Sequence, residues 1–152
     1  MYADSAVIMA KEASDTASKY HDLLAYLEAN DALARHALLT ASYTTAIQFA
    51  DIIINTSPRG IHLLDRLTYA GFSKKSKALF RLNDFTAAEI FADSAFLYAQ
   101  SFNPQMMVGA YENIYLAAKA NNNSSKSLAA HEKMVLLNDS LFSLQKNTAI
   151  SE

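Results

Sequence analysis

Apolar residues recur along this chain at intervals of three and four positions, the spacing that places side chains on one face of an α-helix. The most regular stripe, which consists mainly of alanine, comprises Phe85, Ala88, Ala92, Ala95 and Ala99. Short polar stretches and prolines interrupt the pattern, the first of them SDTAS at 14–18. The sequence therefore predicts helices at 2–14, 18–41, 43–56, 60–81, 84–101, 104–120 and 124–148.

The breaks between these segments are short and have turn chemistry. Pro58 cannot continue the helix before it, and Pro104 suits the first turn of the helix after it. Asn83 and Asn122 stand where a turn would commonly use glycine. Connections of about two to five residues place successive helices antiparallel and next to each other. The pattern thus predicts an all-α fold of about seven antiparallel helices.

The composition agrees with helices and excludes several classes of protein. The chain of 152 residues has 3 Gly, 2 Pro and no Cys, with 51% hydrophobic and 18% charged residues. So few glycines and prolines do not suit hairpin-rich β folds or the phosphate turns of doubly wound α/β folds. The absence of cysteine excludes disulfides, thiolate metal sites and cysteine nucleophiles. A net charge of −2 lacks the basic excess of nucleic-acid-binding proteins, so no direct nucleic-acid partner is expected.

The helical stripes also repeat along the chain. SYTTAIQFAD at 42–51 aligns with DFTAAEIFAD at 84–93, so that an aromatic residue, a threonine, an alanine, a phenylalanine and a final Ala-Asp pair coincide. Asp51 and Asp93 end these segments beside the small-residue stripe and are expected to be solvated. A helix pair that recurs after about 40 residues is the signature of a helical-repeat array.

A helix–turn–helix unit of this length, with small residues at the contacts, resembles the tetratricopeptide repeat family. Tyr111, Ile114 and Ala117 match the family's pattern in the first helix of the last unit. The resemblance implies a single domain, an α-α superhelix, with helix pairs at 18–56, 60–101 and 104–137, the second helix of a truncated unit at 1–14, and a capping or connecting helix at 138–152. Lys75 and Ser76 depart from the family's Leu-Gly, and a helical bundle is the alternative fold.

The C-terminal segment carries a second, narrower resemblance. Asp139-Ser140-Leu141-Phe142 is similar to the close of tetratricopeptide arrays in bacterial membrane-anchored regulators, where a long helix continues across the membrane to a histidine kinase or helix-turn-helix output domain. The resemblance implies the non-catalytic sensor region of a two-component or transcriptional regulator, periplasmic and anchored in the inner membrane. Leu137, Leu141 and Leu144 are expected to pack on the last repeat. The alternative is a free cytoplasmic adaptor, scaffold or chaperone-like protein.

Side chains that could carry catalysis are few and scattered. The four histidines, His21, His36, His62 and His131, form no metal-binding spacing, and the three glycines cannot build a phosphate loop. His62 and Asp65 are expected to be ordinary helix-face residues, and His131 a packed or rim histidine. No pair of carboxylates is placed for acid–base work. We therefore expect no enzyme activity, no metal and no cofactor.

The candidate site is a basic stripe. Lys74, Lys77 and Arg81 step by three and four positions along one predicted helix. Tetratricopeptide proteins that hold a peptide carboxylate use lysine, arginine and asparagine in this kind of arrangement, on a concave surface lined by the first helix of each unit. Transferred by the repeat register, that surface carries Leu38 and Glu112 together with the eight predicted site residues Arg35, Lys74, Lys77, Phe80, Arg81, Asn113, Leu116 and Lys119. The resemblance implies an acidic or carboxylate-terminated peptide of a partner protein as ligand; the alternative is a solvated basic face. Exposed terminal helices would also permit a homodimer.

Overall fold

The computed structural model describes residues 2–19, 23–58 and 60–151, with side chains at 5–15, 23–58, 60–61 and 64–149. Over these ranges the chain is helical and contains no strand. The helices are α1 (Tyr2–Lys19), α2 (Leu23–Leu39), α3 (Tyr43–Thr56), α4 (His62–Arg81), α5 (Phe85–Ala99), α6 (Pro104–Ala120) and α7 (Ser124–Ser151). The predicted all-α fold is confirmed.

The helices form two layers. Each helix packs against its neighbours in sequence, and in addition α2 packs on α4 and α4 packs on α6. Within the described residues the backbones of α3 and α5, and those of α5 and α7, do not approach each other in this way, and only side chains link α5 to α7. The array therefore curves towards an inner layer of α2, α4 and α6, with the other helices outside. This is a helical-repeat arrangement of three stacked helix pairs, α2–α3, α4–α5 and α6–α7.

One type of turn joins the two helices of each pair. Its central residue is in the left-handed conformation, with φ of 57° at Ala41, 63° at Asn83 and 60° at Asn122; we call these three the turn residues. The next amide donates to the carbonyl five positions earlier, at 2.8 Å in the first turn, 3.0 Å in the second and 2.8 Å in the third. This is the Schellman closure of a helix, in which a left-handed residue is needed. The predicted turn positions of both asparagines are confirmed.

Small residues bring the helices close together. The predicted alanine stripe is fully buried from Ala88 to Ala99, as are Ala46, Ala50 and Ile53 on α3. At Gly71 of α4, a Cβ atom would lie 3.2 Å from side-chain carbons of Ile53 and Ile54. Any larger residue there would force the two helices apart, so the short contacts depend on these small side chains.

Two predicted boundaries are wrong at the N-terminal end. The SDTAS stretch at 14–18 is helical, because α1 continues to Lys19. Serine and threonine lower helix propensity by only a few tenths of a kcal/mol, whereas no glycine or proline occurs here to end the helix. The second helix begins at Leu23 and not at residue 18. The junction itself, at 20–22, lies outside the described residues.

The C-terminal helix is longer than its partner. α7 has 28 residues against 17 in α6, and it runs without a break through residue 138. Leu137 and Leu141 are half-buried, but Leu144 is 62% exposed. The predicted packing stripe therefore ends at Leu141, because the remaining turns of α7 extend beyond the start of α6. None of the described helices combines the length and the apolar character that a membrane crossing requires.

Candidate functional site

A groove of about 340 Å³ opens on the inner layer, between the end of α2, the last turns of α4 and the middle of α6. Five of the eight predicted site residues line it. They are Lys77, Phe80, Arg81, Asn113 and Leu116. These five residues, which the repeat register assigned to one concave surface, lie on two separate helices that the fold brings together.

The walls of the groove are largely apolar. Leu38, Tyr43, Phe80 and Leu116 contribute hydrocarbon surface. The Phe80 ring is held against Phe85, with ring centroids 5.5 Å apart. Because these walls are formed within a packed array, the groove exists before any ligand binds, which reduces the entropy cost of binding.

Two cations stand at the groove without an acidic partner among the described residues. Lys77 and Arg81 lie one turn apart on α4, and both are exposed. Lys77 forms no hydrogen bond or ion pair with the described part of the chain, and Arg81 lies over the Tyr43 ring with its guanidinium carbon 5.8 Å from the centroid. The stacked guanidinium keeps its N–H edge free to receive a carboxylate.

Lys74, the third member of the predicted stripe, has a different role. Its ammonium lies 2.5 Å from the Asp31 carboxylate on α2, and Arg35 binds the same carboxylate at 3.1 Å. Burial lowers the pKa of Lys74 below the ordinary lysine value, while Asp31 opposes that shift. Lys74 and Arg35 thus neutralise a buried acid between α2 and α4. The stripe presents two cations to the groove and not three.

Asn113 and Lys119 also make contacts within the protein. Asn113 is only 5% exposed and donates from Nδ2 to Ser73 Oγ on α4, at 2.8 Å. Lys119 donates to the Tyr115 hydroxyl at 3.1 Å and lines a second groove of about 330 Å³ between α6 and α7. Asn113 therefore borders the first groove as a fixed, hydrogen-bonded wall, and Lys119 belongs to the second one.

Sequence reasoning missed part of the first groove. Leu39, the last residue of α2, and Tyr43 both line it. Tyr43 belongs to the second helix of its pair, whereas the register assigned the surface to the first helix of each unit. Tyr43 is the first residue of α3, and only the tight turn at Ala41 brings it to the inner face. Glu112, which the repeat register did place on this surface, lines the groove as well and contributes one negative charge. The ligand surface is therefore of mixed charge.

The aspartates of the repeated Ala-Asp pairs are partly solvated as predicted, since the side chains of Asp51 and Asp93 are 37% and 50% exposed, but both also form ion pairs. Asp51 lies 2.6 Å from Lys75 of α4, and Asp93 lies 2.5 Å from Lys126 of α7. Each aspartate is close enough to a neighbouring helix for a long lysine side chain to reach it. These pairs act between helices and not at the groove.

The remaining candidate chemistry does not converge on a reaction centre. His131 is half-buried against Tyr115, with ring centroids 5.0 Å apart, which confirms its prediction as a packed histidine. The side chains of His21 and His62 lie outside those described. Among the described residues, no cluster of histidine and carboxylate side chains could hold a metal ion.

No protein-family model, curated protein or solved structure matches this chain.

Proposed function

We propose that this chain is a non-catalytic helical-repeat domain of the tetratricopeptide type, and that the groove between α2, α4 and α6 binds a carboxylate-bearing peptide segment of a partner protein. The observation that carries the proposal is the pair Lys77 and Arg81, two exposed cations at the edge of an apolar groove that have no acidic partner in the part of the chain that the structure describes.

The groove suits one carboxylate next to one apolar side chain. Arg81 can bind a carboxylate through two parallel N–H groups, and Lys77 adds a second positive charge one turn away. Leu38, Phe80 and Leu116 offer apolar surface to the adjoining side chain. Glu112 on the far wall repels a second acid, so a C-terminal carboxylate fits better than a run of acidic residues.

Peptides that differ only at their C-terminus test this proposal. Candidates selected from a random peptide library would be made with a free carboxylate and with an amide. We expect the free acid to bind more tightly, and the Lys77→Glu/Arg81→Glu double variant to lose on the order of tenfold or more in affinity by fluorescence anisotropy. Higher salt should weaken binding, because the cations are exposed.

The control variant Lys133→Glu/Lys146→Glu makes the same change of charge at exposed positions of α7, away from the groove. Its affinity should equal that of the parent chain, and both variants should keep the parent's helical circular dichroism. Equal binding by the acid and the amide, or equal loss in both variants, would contradict the proposal.

We propose further that this domain is the sensor region of a bacterial signal-transduction or transcriptional regulator, periplasmic and anchored in the inner membrane. The 28-residue helix α7, whose last turns extend past α6, supports this reading because a continuous helix can carry a displacement out of the array. Alkaline phosphatase and fluorescent-protein fusions to the full-length protein would locate the domain. Phosphatase activity is expected; cytoplasmic fluorescence alone would favour the free adaptor or scaffold.

A further inference from the structure

The three helix pairs can be compared position by position by counting from the turn residues. Two bonds between inner helices then share one register. Lys74 donates to Asp31 at 2.5 Å, and Asn113 donates to Ser73 at 2.8 Å. In each case the donor stands nine positions before the turn residue of its own helix pair. The acceptor stands ten positions before the turn residue of the preceding pair. In the third helix pair, the residue at the acceptor position is Glu112.

The acceptor position is buried in the first two pairs and open in the last. Asp31 and Ser73 are each 6% exposed because the next inner helix covers them. Glu112 is exposed and forms no hydrogen bond or ion pair with another described residue. The face of α6 that carries Glu112 therefore corresponds to the faces of α2 and α4 that receive a following helix.

The outer helix α7 is open on the same side. The residue thirteen positions after the turn residue is Ile54 in the first pair and Phe96 in the second. Ile54 packs at Gly71 of α4, and Phe96 packs on Tyr111 of α6 with ring centroids 4.9 Å apart. The corresponding residue of α7 is Val135, which is 40% exposed. Leu128, near the start of α7, is 60% exposed and lines the second groove.

A second acid extends the correspondence between the first pair and the last, whereas the equivalent Asp93 of the second pair binds Lys126 of α7. Asp51 stands ten positions after its turn residue and binds Lys75 of α4 at 2.6 Å. The equivalent residue of α7 is Glu132, which is exposed and has no ion pair among the described residues. Asp31 and Asp51 thus receive the adjacent lysines Lys74 and Lys75, and Glu112 and Glu132 reproduce that acid pair on the open face.

We propose that the open face of α6–α7, marked by Glu112, Leu128, Glu132 and Val135, docks an amphipathic helix of a partner protein that carries two adjacent lysines. The helix lies as α4 lies on α2–α3, with one lysine on Glu112 and the next on Glu132. Its small or apolar side chains cover Leu128 and Val135. Glu112 also lines the peptide groove, whereas Leu128, Glu132 and Val135 do not, and the docking of this helix does not depend on the function proposed for that groove.

The length of α7 argues that the helix comes from another molecule. α3 and α5 end at Thr56 and Ala99, 15 and 16 positions after their turn residues, and short loops lead from them to the next inner helix. α7 continues about 13 residues beyond that point, or about 20 Å at 1.5 Å per residue. A following helix of the same chain, joined to the end of α7 by a similarly short loop, would therefore start about 20 Å from the open face.

A second copy of this chain lacks the required lysine. The first inner helix, α2, has Ala32 at the donor position, nine residues before its turn residue. If α2 of another copy docked in this register, it would bring a methyl group to Glu112. The acid pair therefore selects a different helix, with the charge pattern of α4.

A synthetic peptide with the sequence of residues 62–81 is a direct probe, because this is the helix that the equivalent face binds. We expect the labelled peptide to bind the full chain and to bind the Glu112→Lys/Glu132→Lys variant on the order of tenfold more weakly. A peptide with Lys74→Glu/Lys75→Glu should bind that variant better than it binds the parent chain. The control variant Glu12→Lys/Asp139→Lys changes the net charge equally at exposed positions elsewhere and should bind as the parent does.

Three outcomes would overturn the proposal. The first is no binding of the unmodified peptide to the parent chain. The second is binding that ignores the changes at Glu112 and Glu132, which would mean that the peptide replaces α4 within the array. The third is a dimer in sedimentation velocity that Val135→Asp dissociates, which would assign the face to a second copy. The carboxylate-peptide assay with Lys77 and Arg81 is unaffected by any of these results.

Discussion

The left-handed position that closes each inner helix is filled by asparagine in two turns and by alanine in the other. Asparagine tolerates a positive φ better than most residues, whereas the Cβ of alanine meets the following carbonyl oxygen there. Ala41 adopts φ of 57° because the two hydrogen bonds of the turn and the packing of α2 on α3 require it. The first turn therefore carries backbone strain that the other two largely avoid.

Ala41→Gly should stabilise the protein by about 1 kcal/mol, since glycine adopts a positive φ without steric cost. Ala32→Gly is the matched control, because Ala32 lies exposed inside α2. There the same substitution should destabilise by about 0.5–1 kcal/mol. Urea denaturation of both variants measures the two effects. Loss of stability at both positions would show that the strain at Ala41 has no energetic weight.

Among the elements, α7 packs on α6 and is also joined to α5 through two carboxylates, of which Glu89 makes the most bonds. Glu89 accepts hydrogen bonds from Asn121 at 2.8 Å and Asn123 at 3.0 Å, both in the last turn, and from Lys126 at 2.8 Å. Burial raises the pKa of Glu89, but the three hydrogen bonds outweigh it, so the pKa lies below the ordinary glutamate value. Glu89 thus fixes the turn and the first residues of α7 against α5.

Glu89→Gln should destabilise the protein by about 1–3 kcal/mol at neutral pH, because an amide places a donor against three donors. The lowered pKa means that the stabilisation is present above the ordinary glutamate pKa and is lost as pH falls through the folded-state value. The difference between parent and variant in urea denaturation should therefore shrink in acid. Glu132→Gln, at an exposed site, is the control. A difference that stays constant down to acid pH would exclude a role for the Glu89 charge.

Lys126 limits the stability of the same attachment at alkaline pH. Burial lowers the pKa of Lys126, but Asp93 and Glu89 outweigh it, so the pKa is raised above the ordinary lysine value. Its contribution is complete below the ordinary lysine pKa and is lost as pH rises through the folded-state value. The attachment of α7 is therefore strongest over the broad neutral range between these two limits.

At the scale of the whole molecule, stability is distributed along a one-dimensional array. Each helix packs on its neighbours in sequence, the inner helices also pack on one another, and Glu89 and Asp93 of α5 bind Lys126 of α7. α4 is central, since it packs on α2, α3, α5 and α6. Towards the far end of α7, beyond Leu141, Phe142 and Leu144 are 69% and 62% exposed. Local opening should therefore follow position in the array.

Hydrogen exchange measured by mass spectrometry should reveal this gradient. Amides of α4 and α5 are expected to exchange slowest, and those of 142–149 fastest among the helical residues, because the side chains there are exposed and little apolar packing opposes fraying. Binding of the two-lysine helix should slow exchange in α6 and the first half of α7. Uniform protection from α4 to residue 151 would contradict a nearest-neighbour array.

The sequence by itself determined the elements of this protein. The three-and-four spacing of alanines, Pro104 and the turn asparagines act within one or two helical turns, so 43–56 and 104–120 were predicted with the bounds of α3 and α6. The SDTAS boundary failed because polar residues without glycine or proline do not oblige a helix to end.

Only the tertiary structure decided which charges are available. Lys74, Lys77 and Arg81 are equivalent in sequence as one basic stripe, yet Lys74 is paired with Asp31, 43 residues away, while Lys77 and Arg81 face the groove. In the same way Asp51 and Asp93 are paired with lysines of neighbouring helices, whereas Glu112 and Glu132 lack a partner within the described chain. An ion pair between helices depends on how the helices stack, and periodicity along a single helix carries no information about that.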